Sequence, residues 1–309
     1  MRVAVCAIAK NENLYLREWV EWYKNLGMSK IFLYDDNDPD GERFEEVIDD
    51  YIKSGFVEVI DVRGSERTFT LFDYNNKAYR CSLQHKCYID CYKEKLSDFD
   101  WVFFCDIDEF LEFRDEYTLE SYLGQEMFDD VDTIMIPWVT YDDNNLVHYD
   151  DRPVVERFTH LSKYQWLAVK SFARTNKYIF DDAMRHMIHC FKLYGMKMRF
   201  ADGSKVIYND NINNFHQVHP SMMGNMKCVL NHYKTKTIEE YLKRRVKRFW
   251  TSDGFITDPK TEAFDKIIDD FFTYCEKTDE KLKFINQYII ENKITSKYYE
   301  SSDLCDCQE

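Results

Sequence analysis

The sequence has little glycine and little proline, 9 and 5 in 309 residues. That scarcity excludes collagen-like repeats, glycine-rich arrays and long flexible linkers. Long apolar runs are missing too: no stretch reaches the about 18 consecutive apolar residues of a membrane-spanning helix. The opening Met1–Ala9 is too short for the apolar region of a signal peptide and runs straight into Lys10-Asn11-Glu12. Positive charge is in deficit. The 41 Lys and Arg against 56 Asp and Glu leave a net charge of −15, which argues against a nucleic-acid partner or a surface built for an anionic membrane. The ten cysteines form no Cys-x-x-Cys pair, and the many asparagines no Asn-x-Ser/Thr acceptor. Both absences point to reduced thiols in a cytoplasmic protein. Cys87 and Cys91, four apart with His85 just before them, read as buried thiols; a zinc site would need a further ligand from elsewhere.

What is present is a globular composition, 45% hydrophobic, 31% charged and 17% aromatic. At about 100–200 residues per domain, the chain is one large domain or a domain with an appendage. The first half alternates strand and helix. Val3–Ile8 is an apolar strand. Leu16, Trp19, Val20 and Tyr23 then repeat at i, i+3, i+4 and i+7, one face of a helix that stops at Gly27. Lys30–Tyr34 and Phe56–Ile60 read as strands with a helix over Glu42–Lys53 between them. Asn75–Leu96 reads as one long helix. Trp101–Cys105 holds no polar residue, which marks a central strand. Such βα alternation predicts an α/β fold with a mostly parallel sheet and flanking helices. Thr133–Trp138 and Val169–Phe172 continue the strands, His148–Lys163 reads as irregular, and Asn209–Pro220 as a polar loop. A capping box at Thr237–Glu240 opens a helix to about Trp250. Helices near Glu262–Glu276 and Asp279–Asn292 and an acidic tail, Ser301–Glu309, follow.

The sharpest chemical feature is Asp106-Ile107-Asp108-Glu109, directly after the apolar strand. Ligands of open α/β sheets bind beyond the carboxyl ends of strands, so these acids point at the expected crevice. Three acids this close repel one another, and a divalent cation neutralises them; carboxylate with diphosphate oxygen suits Mg²⁺ or Mn²⁺. Two more strands end in polar turns, Lys10-Asn11-Glu12 and Asp35–Gly41, whose acids can accept from a ribose hydroxyl or a base N–H. Asn231-His232-Tyr233 precedes a helix with Lys243, Arg244, Arg245, Lys247 and Arg248. In an acidic protein these cations are a solvated face or a clamp on a phosphate-bearing ligand. His232 can join two carboxylates around Mn²⁺. Four other histidines, in the His186/His189 and His216/His219 pairs, lack the zinc-protease pattern.

Taken in order, these motifs resemble the glycosyltransferase family 2-like and family 92 proteins. The resemblance runs from Lys10-Asn11-Glu12 and the Asp35–Gly41 turn through Gln84, Asp106-Ile107-Asp108-Glu109, Ile136-Pro137-Trp138, Lys170-Ser171, Ile188-His189 and Asn231-His232-Tyr233. It covers about residues 1–250, leaving 251–309 as a helical C-terminal extension with a frayed acidic tail. The resemblance implies a GT-A-type fold and a UDP-sugar donor, and among family 92 relatives galactose is the commoner sugar. It carries Asp106 and Asp108 over as the DxD that holds metal and donor, and His232 as a further metal ligand. Asn11, Glu12, Asp35 and Asp36 would lie beside the nucleoside, Lys170 and His189 would line the same crevice, and Lys243 or Arg244 would contact the diphosphate. After Trp138 the chain departs from the family pattern, with Thr140–Asn145 in place of a small-residue loop.

The implied reaction is transfer of a sugar, with inversion, to a hydroxyl of a glycan or glycoconjugate, as in polysaccharide synthesis. A carboxylate takes the hydroxyl proton; Asp143, Asp182 and Glu109 are candidates. Trp138 and Tyr141 can stack on a sugar or fill the core. Rival readings are a phosphatase, a nucleotidyltransferase, or a non-catalytic carbohydrate-binding protein. Contact with a membrane surface through Lys243–Arg248 is a further alternative. The number of copies in the assembly is not legible.

Overall fold

The computed structural model describes residues 1–72, 78–175, 189, 197–206, 218–251 and 262–299. The chain forms two compact units. The first comprises Met1–Val139 and Trp166–His232; the second comprises Thr140–Gln165 and the described residues from Tyr233 onward.

The first unit is an α/β layer. Its strands are β1 Val3–Ala9, β2 Lys30–Asp35, β3 Val57–Asp61, β4 Thr68–Phe72, β5 Ala78–Ser82, β6 Trp101–Phe104, β7 Glu109–Phe113, β8 Thr133–Thr140, β9 Val169–Arg174, β10 Met198–Phe200 and β11 Cys228–His232. Its helices are α1 Asn13–Asn25, α2 Glu45–Lys53, α3 Leu83–Glu94 and the short α4 Leu119–Leu123. Among the described residues, nine strands make one sheet in the order β3-β2-β1-β6-β9-β8-β11-β7, with β10 beside β8; β4 and β5 form a separate hairpin. The sheet is parallel from β3 to β6, as βα alternation predicts. It turns antiparallel where β9 enters between β6 and β8, and β7 pairs antiparallel with β11.

The pleat of β6 explains the layering. Successive side chains of a strand face opposite sides. Val102 and Phe104 join Tyr88, Cys91 and Tyr92 of α3 on one side. Phe103, on the other, meets Tyr23 of α1 and Phe172 of β9 at ring separations of 6.2 and 4.5 Å. The predicted face of α1 is the buried one: Leu16, Trp19, Val20 and Tyr23 have no exposed surface. The helix ends at Gly27, whose φ of +91° is left-handed, a conformation glycine adopts without strain.

Three readings change. The long helix over 75–96 begins only at Leu83, because the Ser82 side chain caps it by accepting from the His85 N–H and the preceding residues pair as β4 and β5. Glu109 opens β7 rather than closing an acidic turn. Cys228–His232 is a fully buried strand that no apolar run announced.

The second unit holds α5 Val154–Arg157, within a stretch read as irregular, α6 Ile238–Thr251, α7 Glu262–Tyr274 and α8 Asp279–Asn292. A boundary at residue 250 would cut its core. Tyr241, Leu242 and Val246 of α6 pack with Ile268 and Phe271 of α7 and Ile285 and Ile289 of α8. Among the described residues of this unit are two buried ion pairs. Arg157 donates to Glu240 at 3.0–3.1 Å, and Glu240 also closes the predicted capping box with Thr237. Lys281 lies 2.5 Å from Asp143, with both side chains essentially without exposure.

Candidate active site

Six strand termini of the first unit carry its polar residues. The ends of β1 and β2 are stitched together. Lys10 Nζ donates to Asp38 at 2.8 Å. Asn11, at a φ of +57°, donates its backbone N–H to Asn37 Oδ1 at 2.8 Å. Asn37 in turn gives its backbone N–H and Nδ2 to Asp35 Oδ1. Asp36 is held by Arg67 at 2.5 Å. Asparagine tolerates the left-handed region better than most side chains, which lets this crossing from strand to helix stay tight. Beside it, a cavity of about 450 Å³ is lined by Asp35, Asp61, Arg63, Glu45, Val57 and Lys30.

After β6, the backbone of the acidic loop is fixed from below. Trp19 Nε1 donates to the carbonyls of Asp106 and Glu109, both at 3.1 Å. Tyr23 Oη donates to the Glu109 carbonyl and Trp22 Nε1 to that of Leu111 at 2.8 Å. Above it, Asp106 Oδ1 accepts from Gln84 Nε2 at 2.7 Å and Oδ2 from Lys170 Nζ at 2.8 Å. Lys170, on β9, is buried, whereas the Asp106 side chain is 36% exposed. Burial works to lower the Lys170 pKa, but Asp106 and Glu109 outweigh it and hold the ammonium above its ordinary range. Glu109 is fully buried. It accepts the Asp106 N–H at 2.8 Å and lies 3.8 Å from Lys170. Burial pushes its carboxyl well up, against the pull of Lys170.

Asp108 and His232 form the second half of the cluster, with Nε2 3.7 Å from Oδ1. The pairing of β11 with β7 sets this meeting, because it places His232 opposite Glu109. Among the described residues no three His, Cys, Asp or Glu side chains are gathered to hold a metal. The donor set still suits a hard or borderline cation. Magnesium is commonly held by one or two protein carboxylates plus phosphate oxygens, and an imidazole beside a carboxylate suits Mn²⁺. Asp108 offers a carboxylate and His232 an imidazole, and beside them Asp106 accepts from Gln84 and Lys170 while keeping 36% of its side chain exposed.

The other predicted residues fall as follows. Asn11, Asp35, Asp36, Asp106, Asp108, Lys170 and His232 share the carboxyl-end side of the sheet. Glu12 starts α1, its carbonyl accepting from Tyr15 and Leu16. His189 packs on Trp138 with ring centroids 5.4 Å apart. Lys243 and Arg244 belong to α6 of the second unit, where Lys243 pairs with Glu239 at 2.6 Å and Arg244 donates to the Lys234 carbonyl. As a general base, Asp143 is corrected: it is buried in the second unit against Lys281. Glu109 is corrected as well, since it has no exposed surface and braces the Asp106 loop. Asp182 lies outside the described residues. Tyr141 stacks on Tyr233 at 5.0 Å. Cys87 and Cys91 are buried free thiols, as read.

Residues 1–250 match the sequence model of glycosyltransferase family 92. The chain belongs to glycosyltransferase family 92. A family 92 glycosyltransferase protein of Oryza sativa subsp. japonica is 29% identical over 124 residues, 39% of this chain and 18% of the rice protein. The match therefore spans less than a fifth of that relative's length. Among solved structures, S. aureus TarS 1–349 in complex with UDP-GlcNAc is similar at 10% identity over 94% of this chain and 73% of that one, with a TM-score of 0.39. An active-site mutant of LgtC is similar at 12% identity over 90% and 98%, with a TM-score of 0.33.

In this family 92 chain, sequence reasoning passed over Gln84 and Asn37 as site residues. Gln84 reaches Asp106 from the first turn of α3, 22 positions away in sequence, and no local spacing announces such a contact. Asn37 sits in a turn where asparagine is expected for turn chemistry alone. No described helix is long and apolar enough to cross a membrane.

Proposed function

We propose that this protein transfers a sugar from a UDP-sugar to a hydroxyl of a glycan or glycoconjugate, on a GT-A-type fold, with inversion and with a divalent cation. Family membership supports the reaction class. The observation that carries the rest is the paired arrangement at the end of β6, with Lys170 against Asp106 and His232 against Asp108.

In this reading the nucleoside takes the cavity at Asp35, Asp61 and Arg63, whose size suits a small ligand. Asp106, fixed by Gln84 and Lys170, presents its carboxylate without further ordering. A cation on Asp108 and His232 would supply Lewis acidity and neutralise the diphosphate. The acceptor oxygen bonds to the anomeric carbon as the bond to the diphosphate breaks. The electron pair leaves with UDP, and the hydroxyl proton passes to a carboxylate. Lys170 adds a fixed positive charge near the departing group, in a site where water is partly excluded.

The test is UDP release from a panel of UDP-sugars with Mn²⁺, with Mg²⁺ and with chelator. One sugar should give metal-dependent release. Asp108→Asn should lower it about 100-fold or more, the loss expected for a group that stabilises departing charge. Wild-type protein that neither binds UDP nor responds to metal would end this reading.

A further inference from the structure

One aromatic group of the first unit has no part in the donor chemistry. Trp138, near the end of β8, lies with its ring 4.3 Å from that of His232, tilted by 45°. Trp166 meets Trp138 edge-on at 5.5 Å and 82°. His189 lies 5.4 Å from Trp138 and 6.2 Å from Trp166. Trp138 is buried, and its indole N–H has no hydrogen-bond partner among the described residues. Trp166 is only half-buried.

Ordinary core filling does not account for this composition. Buried tryptophans usually satisfy the indole N–H, and a ring that combines an apolar body with a polar edge is favoured where one side meets a partly polar ligand. The backbone beneath Trp166 is also fixed. Trp138 N–H donates to the Ala168 carbonyl and Ala168 N–H to the Trp166 carbonyl, both at 2.8 Å. Two residues on, Lys170 holds Asp106. The half-open indole thus stands three residues before the strand that braces the acidic loop.

We propose that Trp166 is the stacking platform of the acceptor subsite and takes a pyranoside on its apolar C–H face, with Trp138 and His189 packed behind it. This rests on the transferase reading above. Its order along the site favours acceptor over donor sugar. Asp108 and His232 are 3.7 Å apart, Trp138 is in ring contact with His232, and Trp166 reaches this pair through its own ring contact with Trp138. The incoming hydroxyl must approach the anomeric carbon from the side opposite the diphosphate. The acceptor therefore sits farther from Asp108 than the donor sugar does.

The experiment uses the full chain with UDP and Mn²⁺ and four probes: the methyl pyranosides of glucose, galactose, mannose and N-acetylglucosamine. Saturation-transfer NMR reads sugar contact, and a UDP titration runs on the same samples. At least one probe should show saturation concentrated on the C–H protons of one ring face. Trp166→Ala should cut that signal about fivefold or more, and Trp166→Phe should keep at least about half of it, since an aromatic face is what the contact needs. UDP affinity should stay within about twofold in both variants, which also reports that they fold. Wild-type protein that binds UDP but saturates none of the four sugars overturns the proposal, as does a Trp166→Ala signal equal to wild type. Wild-type protein that fails to bind UDP overturns the donor reading and this one with it, and the titration tells that case apart.

Discussion

Among the described residues, each unit of the molecule holds a buried lysine against an aspartate, and the two pairs differ most in the exposure of the acid. Lys281 and Asp143 are both closed to solvent. Lys170 is equally closed, but its partner Asp106 keeps 36% of its side chain exposed. Lys281 also donates to the Asn145 side chain and the Glu276 carbonyl, so its donors are used within the second unit. A buried pair with both partners closed to solvent is architecture. A buried lysine that holds an exposed acid in one orientation presents chemistry to whatever arrives. The sequence offered both aspartates as functional candidates; the exposure of the acid separates them.

The comparison can be broken by removing each lysine. Lys281→Met should cost the most, about 3–5 kcal/mol, because it strands Asp143 without water or counter-charge; urea denaturation reads it. Burial already pushes the Asp143 carboxyl up, opposed by Lys281, and Lys281→Met together with Asp143→Leu should recover most of the loss. Lys170→Met should cost less, about 2 kcal/mol, since water can reach Asp106 when the ammonium goes and burial already pushes the Glu109 carboxyl toward its neutral form. If the two single variants proved equally costly in the same titration, the distinction between a closed and an open pair would fall.

A smaller effect sharpens the second unit alone. Thr237→Ala removes one half of the capping box with Glu240 and should lower stability by about 1 kcal/mol. The smallest effect concerns the rim of the first unit. Arg63 holds the Asp61 carboxyl at about 2, below its ordinary 3.8, through a side-chain hydrogen bond. A depressed carboxyl contributes stability above its unfolded value that fades as pH falls through the folded one, so any contribution lies in the window from about 4 down to about 2. Because the carboxyl is exposed, no change in melting is expected. Arg63→Gln should instead return the Asp61 midpoint in a carboxyl NMR titration toward 3.8.

Much of the first unit was legible because its signals are local. The apolar run of β6 and the 3.6-residue repeat of α1 depend on neighbours in sequence, and both stand where they were read. The acidic loop after β6 was legible for the same reason. The hairpin of β4 and β5 was not, since β4 alternates only over residues 68–71 and β5, with Arg80 and Cys81 at its centre, runs straight into the helix at Leu83. Cys228–His232 was missed because its pairing with β7 spans more than a hundred residues. The roles of Asp143 and Lys170 also lay beyond local reading. Lys281 is 138 positions from Asp143, and Lys170 is 64 from Asp106. An acid in a polar loop looks the same in sequence whether it meets solvent or a buried ammonium. The division into units was obscured likewise, because Thr140–Gln165 packs with helices that come much later in the chain.

Helix α1 answers to two demands at once. Trp19, Trp22 and Tyr23 supply bulk beneath the sheet, and their N–H and O–H groups also secure the carbonyls of Asp106, Glu109 and Leu111. Phenylalanine would meet the first demand and fail the second. A screen that scored only folding would pass such replacements as silent, while the acidic loop above them lost its anchorage. For anyone redesigning this protein, the residues that tolerate change least on behalf of the site are therefore ones that no substrate touches.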